Sequence, residues 1–129
     1  MSRAIEEEII KQYIKKNKQE RIIWEFNNPK KRKEVIWRFN NPGIFIEKCL
    51  NPIGYMDKKH MIRYLFELSG VSDVYYIGRN YIGYLSLEQA AERASMEEIC
   101  IIYCGKGIGY YQGEQEIGAP PRYMLLAKK

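Results

Sequence analysis

The sequence predicts an α+β fold: an antiparallel sheet of about four strands with two packing helices and a helical N-terminal segment. Three observations carry this. Ile99-Cys100-Ile101-Ile102-Tyr103-Cys104 is the longest unbroken apolar run, with no polar residue in its alternation, and reads as a central strand covered on both faces. Val74-Tyr75-Tyr76-Ile77 and Tyr81-Ile82-Gly83-Tyr84-Leu85 flank Gly78-Arg79-Asn80 as the arms of a hairpin. Helical patterns gather toward the front of the chain and strand patterns toward its end, which favours α+β over a doubly wound sheet.

Taken in order, Ile5, Ile9, Ile10, Tyr13 and Ile14 recur at helical spacing and predict a helix over 3–16. Ser2 is its cap, Glu6, Glu7 and Glu8 sit at its start, and Lys15, Lys16 and Lys18 crowd its far end, where Asn17 is the expected stop. Ile22-Ile23-Trp24-Glu25-Phe26-Asn27-Asn28-Pro29 then returns 13 residues later as Val35-Ile36-Trp37-Arg38-Phe39-Asn40-Asn41-Pro42. Two copies are too few for a solenoid, and helices are favoured, since Asn28-Pro29 has the form of a cap followed by proline at the first helical position. On a helical wheel Ile22, Ile23 and Phe26 share a face, as do Val35, Ile36 and Phe39. Trp24 and Trp37 fall off that face, and each is expected to pack against a second neighbour in the core. The sharper reading makes them exposed stacking residues beside the basic cluster.

Asn41-Pro42-Gly43 and Asn51-Pro52-Ile53-Gly54 mark turns, with 44–50 between them a strand or a helical turn. Asp57 caps a helix over Lys58–Ser69, ended by Gly70 and apolar enough to lie across the sheet. Ser86 and Gln89 form a capping box for a helix to about Ser95. Gly105-Lys106-Gly107-Ile108-Gly109 matches no phosphate-loop spacing and is followed by a strand, so it reads as a tight hairpin. A turn-rich stretch from Gly113 to Pro121 leads to a last strand at 122–127.

The whole chain, 1–129, reads as one domain, with a basic helical part over 1–42 and an α+β part over 43–129. Net charge is +5, but residues 1–64 hold 15 Lys and Arg against eight Asp and Glu, whereas 65–129 hold six against eight. Such asymmetry points to an anionic partner for the first half. No stretch approaches the length that spans a bilayer and the acidic start is wrong for a signal peptide, so no membrane association and a cytoplasmic location are expected. The three cysteines are an odd count, against a disulfide framework, and His60 is the single histidine, so no metal and no cofactor is expected. Abundant Ile, Lys, Asn and Tyr resemble the coding bias of an A+T-rich genome, a low-GC bacterium or its phage.

No nucleophile and base stand together, and no catalytic residue is assigned. Glu114-Gln115-Glu116 has the Glu-x-Glu form of arginine-specific ADP-ribosyltransferases, with Arg63 or Arg79 conceivable upstream, but without their Ser-Thr-Ser strand it reads as a solvated acidic turn. Two residue sets carry binding potential. Lys30, Lys31, Arg32, Lys33, Trp37 and Arg38 combine cations with an aromatic and suit nucleic acid or another macromolecule, although Glu20, Glu25 and Glu34 interleave. Arg79, Lys106, Tyr110, Tyr111 and Arg122 suit an anionic ligand or a partner if the tyrosines cluster on one sheet face. The leading expectation is a non-enzymatic bacterial or phage module that binds or regulates a macromolecular partner, most readily a protein. Nucleic-acid binding by the basic helices comes second. A small enzyme or binder of a nucleotide-like ligand at the Gly105–Arg122 region comes third.

Overall fold

The computed structural model describes residues 3–96, 98–113 and 121–127. It is an α+β fold built on a six-stranded antiparallel sheet: β1 (Leu50–Ile53), β2 (Asp73–Gly78), β3 (Ile82–Ser86), β4 (Cys100–Gly105), β5 (Ile108–Gln112) and β6 (Arg122–Leu126), ordered β1-β6-β5-β4-β2-β3. The Ile99–Cys104 run supplies β4, which lies inside the sheet between β5 and β2. Its residues divide by period two: Ile101 and Tyr103 face one core with Tyr75, Ile77, Tyr111 and Leu125, while Cys100, Ile102 and Cys104 face the other with Val74, Tyr76, Tyr110 and Met124.

The sheet has six strands where about four were expected, and β1 is the one the sequence did not mark. Asn51-Pro52-Ile53, expected as a turn, instead pairs with β6, Pro52 opposite Tyr123. The strand lies at an edge, where a missing N–H is tolerated.

Among the described residues four α-helices cover the sheet: α1 (Arg3–Tyr13), α2 (Lys16–Asn27), α3 (Lys58–Ser69) and α4 (Leu87–Ser95). One face carries α3 and α4, with Met61, Leu65, Leu87, Ala90, Ala91 and Ala94 buried on it. Their ends follow their local chemistry. Asp57 accepts from the backbone of His60, Gly70 closes α3 at φ 73°, and Ser86 with Gln89 forms the reciprocal capping box of α4.

The N-terminal segment, for which packing at one end of the sheet was the expectation, lies elsewhere. It roofs the opposite face, where Ile9, Ile10, Tyr13, Phe26, Ile36, Phe39 and Phe45 join one continuous core with the sheet side chains. The first helix is also shorter than its apolar spacing suggests. Ile14 leaves it to bridge Phe45, with Lys15 N–H donating to the Ile44 carbonyl (2.9 Å) and Ile46 N–H to that of Tyr13 (2.7 Å). A new helix begins at Lys16, so Asn17 lies inside α2 rather than stopping α1. Lys16 and Lys18 therefore occupy a helix N-terminus, the wrong sign for its dipole, and the lysine-rich end persists despite that penalty.

The second repeat unit is a 3-10 helix, Arg32–Asn40, not the α-helix expected. Val35, Ile36, Trp37 and Phe39 are all modest α-formers, and a 3-10 turn aligns Ile36 with Phe39 on the buried side. Its cap is repeated with the sequence. Asn28 accepts from the backbone N–H of Lys30 and Asn41 from that of Gly43, both at 2.9 Å, each across the proline that follows it.

The β4–β5 connection is the tight hairpin expected, with Gly105, Lys106 and Gly107 at φ 90°, 55° and 77°. A methyl group at Gly107 would stand 2.8 Å from the Ala127 side chain, so glycine is needed for space as well as conformation. Ser2, the Glu-x-Glu stretch and most of the turn-rich region before β6 lie outside the described residues. Among the described residues, no helix is long and apolar enough to cross a membrane.

Candidate functional site

Most of the sheet tyrosines are spent inside the fold, while Tyr81 and Tyr84 stay exposed. Tyr75, Tyr76, Tyr103, Tyr110 and Tyr111 are buried, and each hydroxyl donates inward: Tyr75 to Glu6, Tyr103 to Glu8, Tyr76 to Glu98, Tyr110 to the Gln112 side chain and Tyr111 to the Phe39 carbonyl. Burial raises the pKa of each phenol above its ordinary value, and for Tyr75 the Glu6 carboxylate adds to that rise. Tyr75, Tyr103 and Tyr111 thereby fasten the N-terminal layer to the sheet.

The set Arg79, Lys106, Tyr110, Tyr111 and Arg122 is accordingly not brought together. Tyr110 and Tyr111 point to opposite faces. Arg122 is buried, with its guanidinium 5.0 Å from the centre of the Tyr55 ring. Lys106 sits exposed in the β4–β5 turn, and Arg79 lies in the β2–β3 loop beside the N-terminal layer. With Tyr110 and Tyr111 on opposite faces of the sheet, one concavity cannot gather all five.

In the other set, two arginines serve the fold. Arg32 makes a bidentate pair with Glu6 (2.7 and 2.5 Å) and also donates to the Phe26 carbonyl at 3.0 Å. Glu6 is only 2% exposed, so this pair pins the 3-10 segment to α1, and the Tyr75 hydroxyl ties both to β2. Arg38 pairs with Glu25 through Nε (3.0 Å) and Nη2 (2.7 Å), and Arg21 adds a contact to the same carboxylate at 3.2 Å. The Arg38 hydrogen bond chiefly holds the Glu25 carboxyl below its usual range, with Arg21 contributing. Glu25 and Arg38 occupy equivalent places in the two repeat units, so the repeat closes on itself through an ion pair.

The remaining members stay at the surface. Lys30, Lys31 and Lys33 are exposed, and among the described residues no carboxylate pairs with them. Trp24 and Trp37 were expected to pack in the core; they are instead 48% and 42% exposed. The helical wheel already placed them off the apolar face, and among the described residues no further layer covers that side. Each indole carries an arginine: Arg21 lies 5.2 Å from the Trp24 ring centre and Arg79 5.0 Å from that of Trp37.

Two concavities lie along this face. The first, about 360 Å³, is lined by Arg21, Glu25, Lys31, Glu34, Trp37 and Arg38. The second, about 540 Å³, lies between the second repeat unit and the β2–β3 loop, with Pro29, Lys33, Arg79, Asn80 and Tyr81 on its walls. Sequence reasoning offered Trp24 only as the alternative stacking residue, left Arg21 and Tyr81 out of the set and assigned Arg79 elsewhere. The 13-residue repeat was the signal for Trp24, whereas the approach of the loop had none.

The three cysteines are buried and unpaired. Burial pushes the Cys100 thiol up to about 12 and that of Cys104 to about 11, so neither is a nucleophile near neutral pH. Among the described residues, no cluster of His, Cys, Asp and Glu is fit to hold a metal ion. Compared with known proteins, the chain matches no family model, no curated sequence and no solved structure.

Proposed function

We propose that the protein is a non-enzymatic binding module that contacts an anionic macromolecular partner through the Trp24–Trp37 face of its N-terminal layer. One observation carries this reading: the same position in two repeat units presents a half-exposed indole, each under a guanidinium. Burying the outward side of a tryptophan stabilises a complex by a few kcal/mol, and Trp and Arg are the side chains most often found at the energetic centre of interfaces. Lys31 lines one concavity with Trp37 and Lys33 another with Arg79, and among the described residues no carboxylate pairs with either lysine.

Heparin retention tests the electrostatic half of the reading. The double variant Lys31→Glu with Lys33→Glu should elute at markedly lower salt than the parent, while melting at the same temperature. Arg32 is the wrong residue to reverse, because its loss also breaks the Glu6 pair. An unchanged elution position for the double variant would remove this face from the proposal.

A further inference from the structure

The two concavities are not equivalent, and the difference bears on what kind of partner fits. The smaller holds three cations against two carboxylates, Glu25 and Glu34. The larger has Arg32, Lys33, Arg79 and Asn80 as its polar walls and no carboxylate among its lining residues. Its apolar wall includes Tyr81 and Ile82. Arg32 is engaged by Glu6, so Lys33 and Arg79 are the cations left to meet a ligand. The size lies within the roughly 300–1,000 Å³ of small-molecule sites and admits a planar base with its sugar and phosphate.

The wall between the concavities is itself a stack. Trp37 lines the smaller, and Arg79, lying over its ring, lines the larger. At one side stands the Arg21–Trp24 stack, and at the other the Tyr81 ring with the Arg93 guanidinium 5.1 Å from its centre. Trp24 and Trp37 each carry an arginine and Tyr81 shares Arg93 with the buried Tyr76; the smaller concavity beside Trp37 is nearly balanced in charge, and the larger, walled by Arg79 and Tyr81, holds cations without a carboxylate. Flat rings and guanidinium planes at intervals, with cations between them, suit a chain that alternates flat bases with phosphates. An acidic peptide uses the cations but has no use for the flat faces. A duplex presents phosphates but keeps its bases stacked inside, away from the rings and the larger pocket.

We infer that the partner is a single-stranded nucleic acid, laid across the Trp24, Trp37 and Tyr81 platforms with a nucleotide seated in the Lys33–Arg79 pocket. This rests on the binding face proposed above and specifies its occupant.

Trp24 and Trp37 are the only tryptophans, so their emission reports the platforms directly. The full chain is titrated with a short oligothymidylate, the matching oligouridylate, a duplex of the same length and polyglutamate, at about 20 and about 200 mM salt. The single strands are expected to quench the emission and to bind at least about tenfold more tightly than duplex or polyglutamate. Lys33→Ala combined with Arg79→Ala, both exposed positions, should weaken that binding about tenfold and lower the salt slope by about 1.4, as two lost phosphate contacts require. An unchanged melting temperature shows that the double variant is folded. Equal or tighter binding of duplex or polyglutamate, without quenching by single strands, overturns the inference and leaves the anionic-partner reading standing. Binding to none of the four polyanions overturns both. Quenching by single strands that the double variant does not weaken removes the Lys33–Arg79 pocket and with it the inference.

Discussion

Glu6→Gln is the sharpest test of how the N-terminal layer is held. The carboxylate is buried and accepts two hydrogen bonds from Arg32 and one from the Tyr75 hydroxyl. The amide keeps the shape but loses the charge, and it turns one acceptor into a donor facing the guanidinium. Breaking a fully buried ion pair costs about 3–5 kcal/mol. Here the Arg32 side chain remains 21% exposed and keeps its bond to the Phe26 carbonyl, so water and backbone relieve part of the loss. That leaves about 2–3 kcal/mol, which for a chain of this length lowers the melting temperature by about 7–11 °C. Urea denaturation followed by far-ultraviolet circular dichroism measures the difference. Tyr75→Phe, which removes one donor and spares the pair, should cost about 1 kcal/mol. The two changes together should fall short of their sum, because they share an acceptor. A Glu6→Gln melting temperature within about 2 °C of the parent would show that the carboxylate is solvated and that the layer carrying both tryptophans is held by something else.

Four further outcomes follow from the same geometry. The Glu25 carboxyl is held below its usual range chiefly by Arg38, so its contribution to stability is present above the unfolded-state value near 4.3 and is lost as pH falls toward the folded one; Glu25→Gln should flatten the acid limb of a stability–pH curve, and an unaltered limb would deny that role. The cysteines should resist a thiol reagent in the native protein at pH 8 and all react after unfolding, and rapid native labelling would contradict their burial. Gly107→Ala meets both a left-handed backbone and the Ala127 side chain, so a loss of about 1–3 kcal/mol in urea is expected, and a neutral result would refute the turn geometry. Trp37→Ala should cost less than about 1.5 kcal/mol where Phe39→Ala, fully buried two residues on, costs about 3–5, and a comparable loss for both would mean that the indole belongs to the core.

Much of the fold was legible because it is local. The unbroken run at 99–104 marked a doubly covered strand, the capping box at Ser86 and Gln89 started a helix, and Asp57 with Gly70 bounded another. The site was half legible: the repeat and the cationic run showed that the front of the chain carried unusual chemistry, and the helical wheel turned both indoles away from the apolar face. What each arginine does there was not legible. Arg32 and Lys33 are neighbours in one basic run, yet one is spent on a buried carboxylate 26 residues away and the other faces solvent.

The sequence by itself determined the α+β class, the central strand, the two capped helices behind it and the uneven charge, all of which follow from spacing and composition within short windows. Only the tertiary structure decided that the basic segment covers the sheet's second face, that β1 extends its edge, and that Arg79 rests on Trp37 from about a third of the chain away. The physical reason is the same in each case. These contacts join residues far apart in sequence, and which pairs meet is set by how layers share one sheet rather than by any local preference.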